Sequence, residues 1–375
     1  MAKWQVDLYT LDGLGGIAEH YQVDSVMLSG KLVKTVDDTA KLTFSVPMSA
    51  FSGAFANILP MKAYVNVHRI GTTTKKFYCG LIEKRTLSLA NMTYTYECCG
   101  GLGAQKYIVP YRNFPSGSTI DTVIDALSAR YRGTAQSPYT TFNPSETIYT
   151  NVADLLHFGE ASYSYYGLEF NESLANIQKS SATAYDFYKS FLDTNNFVWF
   201  SNFDAPHLFE REDGSIHFGS IVESHPNTQE IRYDRNLVSC EITDESYPTI
   251  VAGRGTGLQA FKLSPEYPFP FGFLDVTLPD KSGGGTYTGD ELKAAAEQVL
   301  YAPHQIISAV GFDEGILDNG TPFLNIEDPV YLVYLENNIE KRILANITSI
   351  TYDLTNPSRD RVQLGKKVIP LTQRS

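Results

Sequence analysis

Few residues in this sequence have a type and spacing that could do chemistry, and each has a structural reading beside it. The clearest glycine pattern is Gly253-Arg254-Gly255-Thr256-Gly257. A phosphate cradle needs a GxGxxG or GxxxxGK motif that opens a helix. Here Leu258-Gln259-Ala260-Phe261 leads into Pro-rich sequence instead, so a glycine-rich strand end or tight turn is the better reading. The seven histidines are His20, His68, His157, His207, His217, His225 and His304, and none forms an HExxH or other close metal pair. His207 and His217 flank Asp213-Gly214, a hairpin signal that brings them near each other, and a packed or solvated pair is favoured over a metal site. Cys79, Cys98, Cys99 and Cys240 show no CxxC spacing and read as buried free thiols.

The acidic clusters Asp37-Asp38, Asp318-Asn319-Gly320 and Glu327-Asp328 invite a calcium reading. None matches the spaced DxDxDG loop with its distal Glu, so turns and solvated faces account for them better. A GxSxG elbow is absent from the sequence. Glycoside hydrolysis needs two carboxylates at a set separation. With 42 acidic residues such pairs arise by chance, so the count neither supports nor removes that class. Of the two tryptophans, Trp4 and Trp199, the latter sits in an apolar run and reads as core before it reads as a sugar platform. No catalytic, cofactor-binding or metal-ligating residue is assigned. No cofactor is called for, and a structural divalent cation is not indicated.

The elements that would position any site are mainly strands. The 375 residues are 43% hydrophobic and 13% aromatic, enough for two or more β-rich domains. Net charge is −12, which argues against gripping nucleic acid through phosphates. No apolar run approaches the ~20 residues that span a bilayer. The start, MAKWQVDLYT, lacks the pattern of a secretion signal, so the expectation is a soluble protein made in a cytoplasm.

Period-two alternation predicts strands at Lys41–Pro47, Ala63–Arg69, Lys75–Ile82 and Met92–Cys99. Tyr21–Gly30 reads as another strand that ends in a glycine turn. Adjacent Cys98 and Cys99 should then face opposite sides. Helices are expected at 118–132, behind Ser118, and at 181–194, with Tyr185, Tyr188 and Leu192 on one face. A third starts with a capping box at Thr288–Glu291 and buries Leu292, Ala295, Ala296, Val299 and Leu300. Phe197–Phe200, Glu230–Cys240, Tyr247–Ala252, Ile306–Phe312, Pro329–Leu335, Ile343–Tyr352 and Arg361–Leu364 read as strands, while 259–289 is rich in Pro, Phe and Gly and includes Ser282-Gly283-Gly284-Gly285, a flexible connection. The fold class is therefore α+β and β-dominated, with two small β-barrel domains carrying α+β insertions. Their expected limits are 1–110 for the first barrel, 111–228 for an α+β insert, 229–258 with 305–370 for the second barrel, and 259–304 for a small insert with one helix.

Several segments in order resemble one family, the tail-tip or baseplate hub proteins of long-tailed phages. These tail-associated lysin-like proteins are related in fold to the central hub of contractile-tail baseplates. The segments are Lys41–Pro47, Ile58-Leu59-Pro60, Phe77-Tyr78-Cys79-Gly80, Tyr96-Glu97-Cys98-Cys99-Gly100-Gly101-Leu102, Tyr107–Tyr111, Arg232–Leu237 and Val362–Lys366. The flavour is closest to lactococcal siphophages. The resemblance implies a structural, non-enzymatic virion protein in a hub-like multidomain architecture. It implies a homotrimer whose ring opens or closes the tail channel. That ring would dock on the distal tail protein ring, adjoin receptor-binding baseplate proteins, and pass phage DNA during ejection without sequence-specific binding. Members with a peptidoglycan-cleaving domain carry it at the C-terminus. This sequence stops at Ser375, just after its last β segment, so no lytic domain is expected. The competing classes are a phage-associated cell-wall glycan hydrolase and a carbohydrate-binding adhesin.

Overall fold

The computed structural model describes residues 3–12, 16–36, 38–70, 74–107, 122, 125, 161–163, 183–189, 207–211, 213–219, 229–244, 250–255, 258–263, 273–277, 286–300, 305–312, 326, 329–356 and 360–364. In the N-terminal part, β1 (Lys3–Leu11), β2 (Ile17–Gln22), β3 (Ser29–Thr35), β4 (Lys41–Pro47), β5 (Ala63–Ile70), β6 (Thr74–Ser88) and β7 (Thr93–Cys99) follow one another. The chain then makes the helical turn α1 (Gly101–Ala104). Three short strands follow: β8 (Ala161–Tyr163), β9 (His207–Glu210) and β10 (Ile216–Gly219). After them come β11 (Gln229–Arg232), β12 (Leu237–Asp244), β13 (Ile250–Gly255), β14 (Leu258–Leu263), β15 (Phe273–Thr277) and helix α2 (Gly289–Leu300). The described chain closes with β16 (Gln305–Phe312), β17 (Pro329–Glu336), β18 (Ile339–Asp353) and β19 (Arg361–Leu364).

The fold is β-dominated, as expected, but the strands are not shared out into two barrels. Strands from both stretches read as barrels join one 13-stranded sheet, ordered β12-β16-β19-β18-β3-β4-β7-β6-β5-β1-β2, with β11 and β17 branching from β18. Among the described residues no closed barrel forms. The link is β18, whose residues 349–353 pair with β3 while residues 339–346 pair with β17. Alternation shows that a strand has a buried face but not which edge it meets, so the merger is invisible in the sequence.

The larger core cluster spans both stretches of the sheet. Trp4, Val6, Leu8, Phe44, Val65 and Tyr96 pack in the same cluster as Ile347, Ile350, Tyr352 and Val362. A smaller cluster of Tyr64, Cys79, Leu81, Cys99 and Ala104 lies separate from it. Cys98 belongs to the first cluster and Cys99 to the second, as alternation requires.

Several elements fall where the sequence places them. β4 and β19 match residue for residue. Thr288 and Glu291 form the capping box, with the Thr288 N–H donating to Glu291 Oε2 at 2.7 Å and the Glu291 N–H to Thr288 Oγ1 at 3.3 Å. Leu292 and Ala296 are buried on the expected face of α2.

Others differ. Tyr21–Gly30 is not one strand: a turn at 24–26 separates β2 from β3, and Gly30 lies inside β3 opposite Phe44. Gly30 has Met27 Sδ packed where a side chain would go, so its role is close approach and not a turn. Glu230–Cys240 is broken by a turn at 233–236. The Pro-, Phe- and Gly-rich stretch, where no strand is expected, holds β15 and most of β14, which flank β13 parallel and antiparallel. In the second helix, residues 184–189 are helical and bury Ala184, Phe187 and Tyr188, so the buried face is rotated from the Tyr185–Tyr188–Leu192 stripe. The 118–132 helix (save helical Thr122 and Asp125), strand 197–200 with Trp199, Ser282–Gly285, Asp318–Gly320 and Glu327-Asp328 lie outside the described residues.

Candidate functional site

The most built polar site in the described structure is a junction that no single motif announces. It lies between the end of β7 and the β9–β10 hairpin. Asp213-Gly214 forms the expected hairpin turn, with Gly214 at φ +95° and the Ser215 N–H donating to Asp213 Oδ1 at 2.9 Å. The register sets His207 opposite Gly219 and His217 opposite Phe209, so the two histidines do not face each other across the hairpin. His217 Nδ1 instead sits 3.3 Å from Arg211 Nη2.

The hairpin delivers Glu210 into a nest on the N-terminal sheet. The carboxylate accepts hydrogen bonds from the Leu102 N–H (2.6 Å) and Thr39 Oγ1 (2.9 Å) on Oε1, and from the Ala40 N–H (2.7 Å) on Oε2. Two glycines make room for it. A Cβ on Gly100 would stand 2.1 Å from Glu210 Oε2, and one on Gly101 would stand 1.8 Å from the Gly214 carbonyl oxygen. Burial pushes the Glu210 carboxyl up to about 7, while the three donors and the Lys34 charge pull it down. The Cys98-Cys99-Gly100-Gly101 segment is thus where a strand with two buried faces ends at a backbone-to-backbone contact. Thr39 completes the nest, its own N–H bonded to Asp38 Oδ1 at 2.8 Å, which gives Asp38 a turn role.

Among the described residues, the remaining candidates make contacts that hold the fold together. Gly253 lies in β13 beneath α2, where a Cβ would meet the Leu292 carbonyl oxygen at 2.1 Å, so this glycine admits a helix and not a phosphate. Asp7, buried on β1, accepts from Gln5 Nε2 at 2.8 Å and is flanked by His20 Nε2 (2.8 Å) and His68 Nδ1 (3.1 Å). Both carboxylate oxygens are thereby satisfied, and the set braces β2, β1 and β5. Asn236 explains the Arg232–Leu237 motif: its amide accepts from the Arg232 N–H at 2.8 Å and donates to the Glu230 carbonyl at 3.2 Å, locking the turn. Trp4 is core, with edge contacts to Phe77 and Tyr352, each at 5.2 Å between ring centroids. All four cysteines are free, with Cys79, Cys98 and Cys99 buried. Among the described residues no group of three or more His, Cys, Asp or Glu is arranged to hold a metal ion, and no helix is long and apolar enough to cross a membrane.

No protein-family model and no curated protein matches the sequence. Solved structures do match. The tail protein from Neisseria meningitidis MC58 superposes with a TM-score of 0.61 at 11% identity, covering 97% of each chain. The 43 kDa tail protein of prophage MuSo2 from Shewanella oneidensis gives 0.62 at 11% identity, over 97% of this chain and 98% of its own. The prophage tail protein gp18 from Listeria monocytogenes EGD-e gives 0.57 at 8% identity, over 98% and 96%. The chain has the fold of these tail proteins along essentially its whole length. Glu210 and its nest could not be read beforehand, because the partners stand up to 171 residues apart and none carries a signature.

Proposed function

We propose that this chain is a structural hub at the tail tip of a tailed phage, in the line of the siphophage tail-associated lysin-like proteins. The supporting observation is the end-to-end match of its fold to three tail proteins, at TM-scores of 0.57 to 0.62. In this reading the chain assembles as a homotrimer in the virion. Its two β stretches give three subunits a quasi-sixfold face for the distal tail protein ring. The domains proposed are 1–110, 111–228, 229–258 with 305–370, and 259–304, the first and third joined through one sheet. Subunits each carrying −12 repel the DNA backbone, so DNA passes the channel without sticking. The α2 helix packs on the β14-β13-β15 sheet, so if it closes the passage it moves with that sheet as one body. The role is mechanical, and no catalytic residue is assigned.

Light scattering of the chain alone and with a distal tail protein ring tests this. A particle of about three times 41.7 kDa that joins the ring is expected. A chain that stays monomeric both alone and with the ring overturns the reading.

A further inference from the structure

The hydrogen bonds described between the β9–β10 hairpin and the N-terminal sheet converge on one carboxylate, that of Glu210. The receiving side is held together without it. The Gly100 N–H donates to the Ala40 carbonyl at 2.9 Å, and the Gly103 N–H donates to Thr39 Oγ1 at 3.0 Å. The nest is therefore preformed, and the hairpin plugs into it. Lys106 Nζ, 5.0 Å over the Tyr185 ring, is a second contact between the sheet's end and the inserted region, and it is of an exchangeable kind.

We infer that Glu210 is a latch: it fastens the hairpin to the N-terminal sheet, and withdrawing it frees the hairpin while the sheet stays folded. The contact suits release. Its hairpin side is a carboxylate and the Gly214 carbonyl, both of which water can solvate, and its sheet side is two N–H groups, a hydroxyl and two glycines. Local opening of this kind costs less than global unfolding because no hairpin residue belongs to the two core clusters of the sheet; Leu208 and Ile216 are buried on the hairpin itself. The Thr39 hydroxyl also makes the latch tolerant of either charge state. It donates to an ionised Glu210; toward a protonated one it accepts and turns its own hydrogen to the Ala40 carbonyl, 3.3 Å away. A glutamine has no such option, since its amide group would point N–H at the N–H of Ala40 or Leu102. This device does not depend on the tail-hub reading.

The test is a double-mutant cycle read by hydrogen exchange on the full chain. Glu210→Ala and Glu210→Gln are expected to speed exchange of amides 208–219 by at least about tenfold while β4 and β7 keep their protection. Gly100→Ala attacks the latch from the other side. Gly100 has φ −75°, which any residue adopts, so the variant's penalty is the collision with Glu210 Oε2. It should free the hairpin alone and have little further effect in the Glu210→Ala background. Unchanged hairpin protection overturns the latch. So does loss of protection in β4 and β7 in step with the hairpin, and so do additive effects of the two changes.

Discussion

The strand trio β5–β6–β7 and its C-terminal counterpart β17–β18–β19 begin alike. Each opens with an 8-residue strand and turns into a 15-residue one. In each the long strand pairs with the strand before it along its first half and the strand after it along its second. Their surroundings differ. β5 is buried along most of its length, and the trio contributes to two separate clusters. The β17–β18 tip is open, with Leu335, Ile339 and Leu344 exposed. Its flank carries an ion-pair ladder in which Arg232 meets Glu230, Asp234 and Glu340 while Arg342 meets Glu230 at 2.7 Å. Matching strand lengths thus give one trio whose first strand is largely buried, with Leu87, Leu89 and Met92 exposed only at its far β6–β7 end, and one that is exposed and charged already where β17 turns into β18. What covers a strand decides its energetics more than the strand's own length does.

The largest expected effect probes whether the two trios share one core. Trp4, Phe77, Arg69 and Tyr352 meet at the seam, with the Arg69 guanidinium 4.8 Å from the Trp4 ring. Trp4→Ala should cost about 3–5 kcal/mol and lower a single melting transition reported by both halves. Two separated transitions in calorimetry would split the comparison into independent units.

The next is Gly253→Ala, whose added Cβ meets the backbone oxygen of Leu292. Overpacking of this kind costs about 1–3 kcal/mol, read as loss of α2 protection with both trios unchanged.

A third prediction is pH-dependent. The docked Glu210 carboxyl rises from its ordinary 4.5 to about 7. An acid with a raised docked value holds its proton longer when docked, so docking is strongest at low pH, weakens from about 4.5 to about 7, and is level above that. Lys34 of β3, Tyr78 and Cys79 of β6 and Cys99 of β7 interact with this charge, and Asp213 of the hairpin turn bears on Cys79. Burial pushes the Tyr78 phenol and both thiols upward, so they stay neutral in that window. Hairpin exchange, corrected for intrinsic rates, should therefore quicken from pH 5 to 7. The opposite slope would show that the three donors outweigh burial.

Smaller still, Thr288→Ala should cost α2 about 1 kcal/mol by removing its cap, seen as fraying of its first turn by exchange. Smallest is Arg342→Ala on the open tip, at under about 1 kcal/mol and fading with salt. A salt-insensitive loss in a denaturant titration would mean that its stacking on Tyr331, at 3.7 Å, matters more than its charge.

Local chemistry was legible in the chain. Lys41–Pro47 alternates and is a strand, Thr288 and Glu291 cap a helix, Asp213-Gly214 turns a hairpin, and Cys98 and Cys99 divide between two faces. Each is settled by residues within a few positions of one another, where dihedral preference and short-range hydrogen bonds dominate. The strands β14 and β15 were not legible, because the Pro, Phe and Gly residues around them mask any alternation while their pairing with β13 is tertiary. The pairing of Ser349 with Thr35, the approach of Leu292 to Gly253 and the entry of Glu210 beneath Gly100 were decided only in three dimensions. A glycine in a sequence says that a side chain is missing there; which backbone or carboxylate takes the space depends on which long loops close, and that is set by the total burial of the fold and not by any local signal.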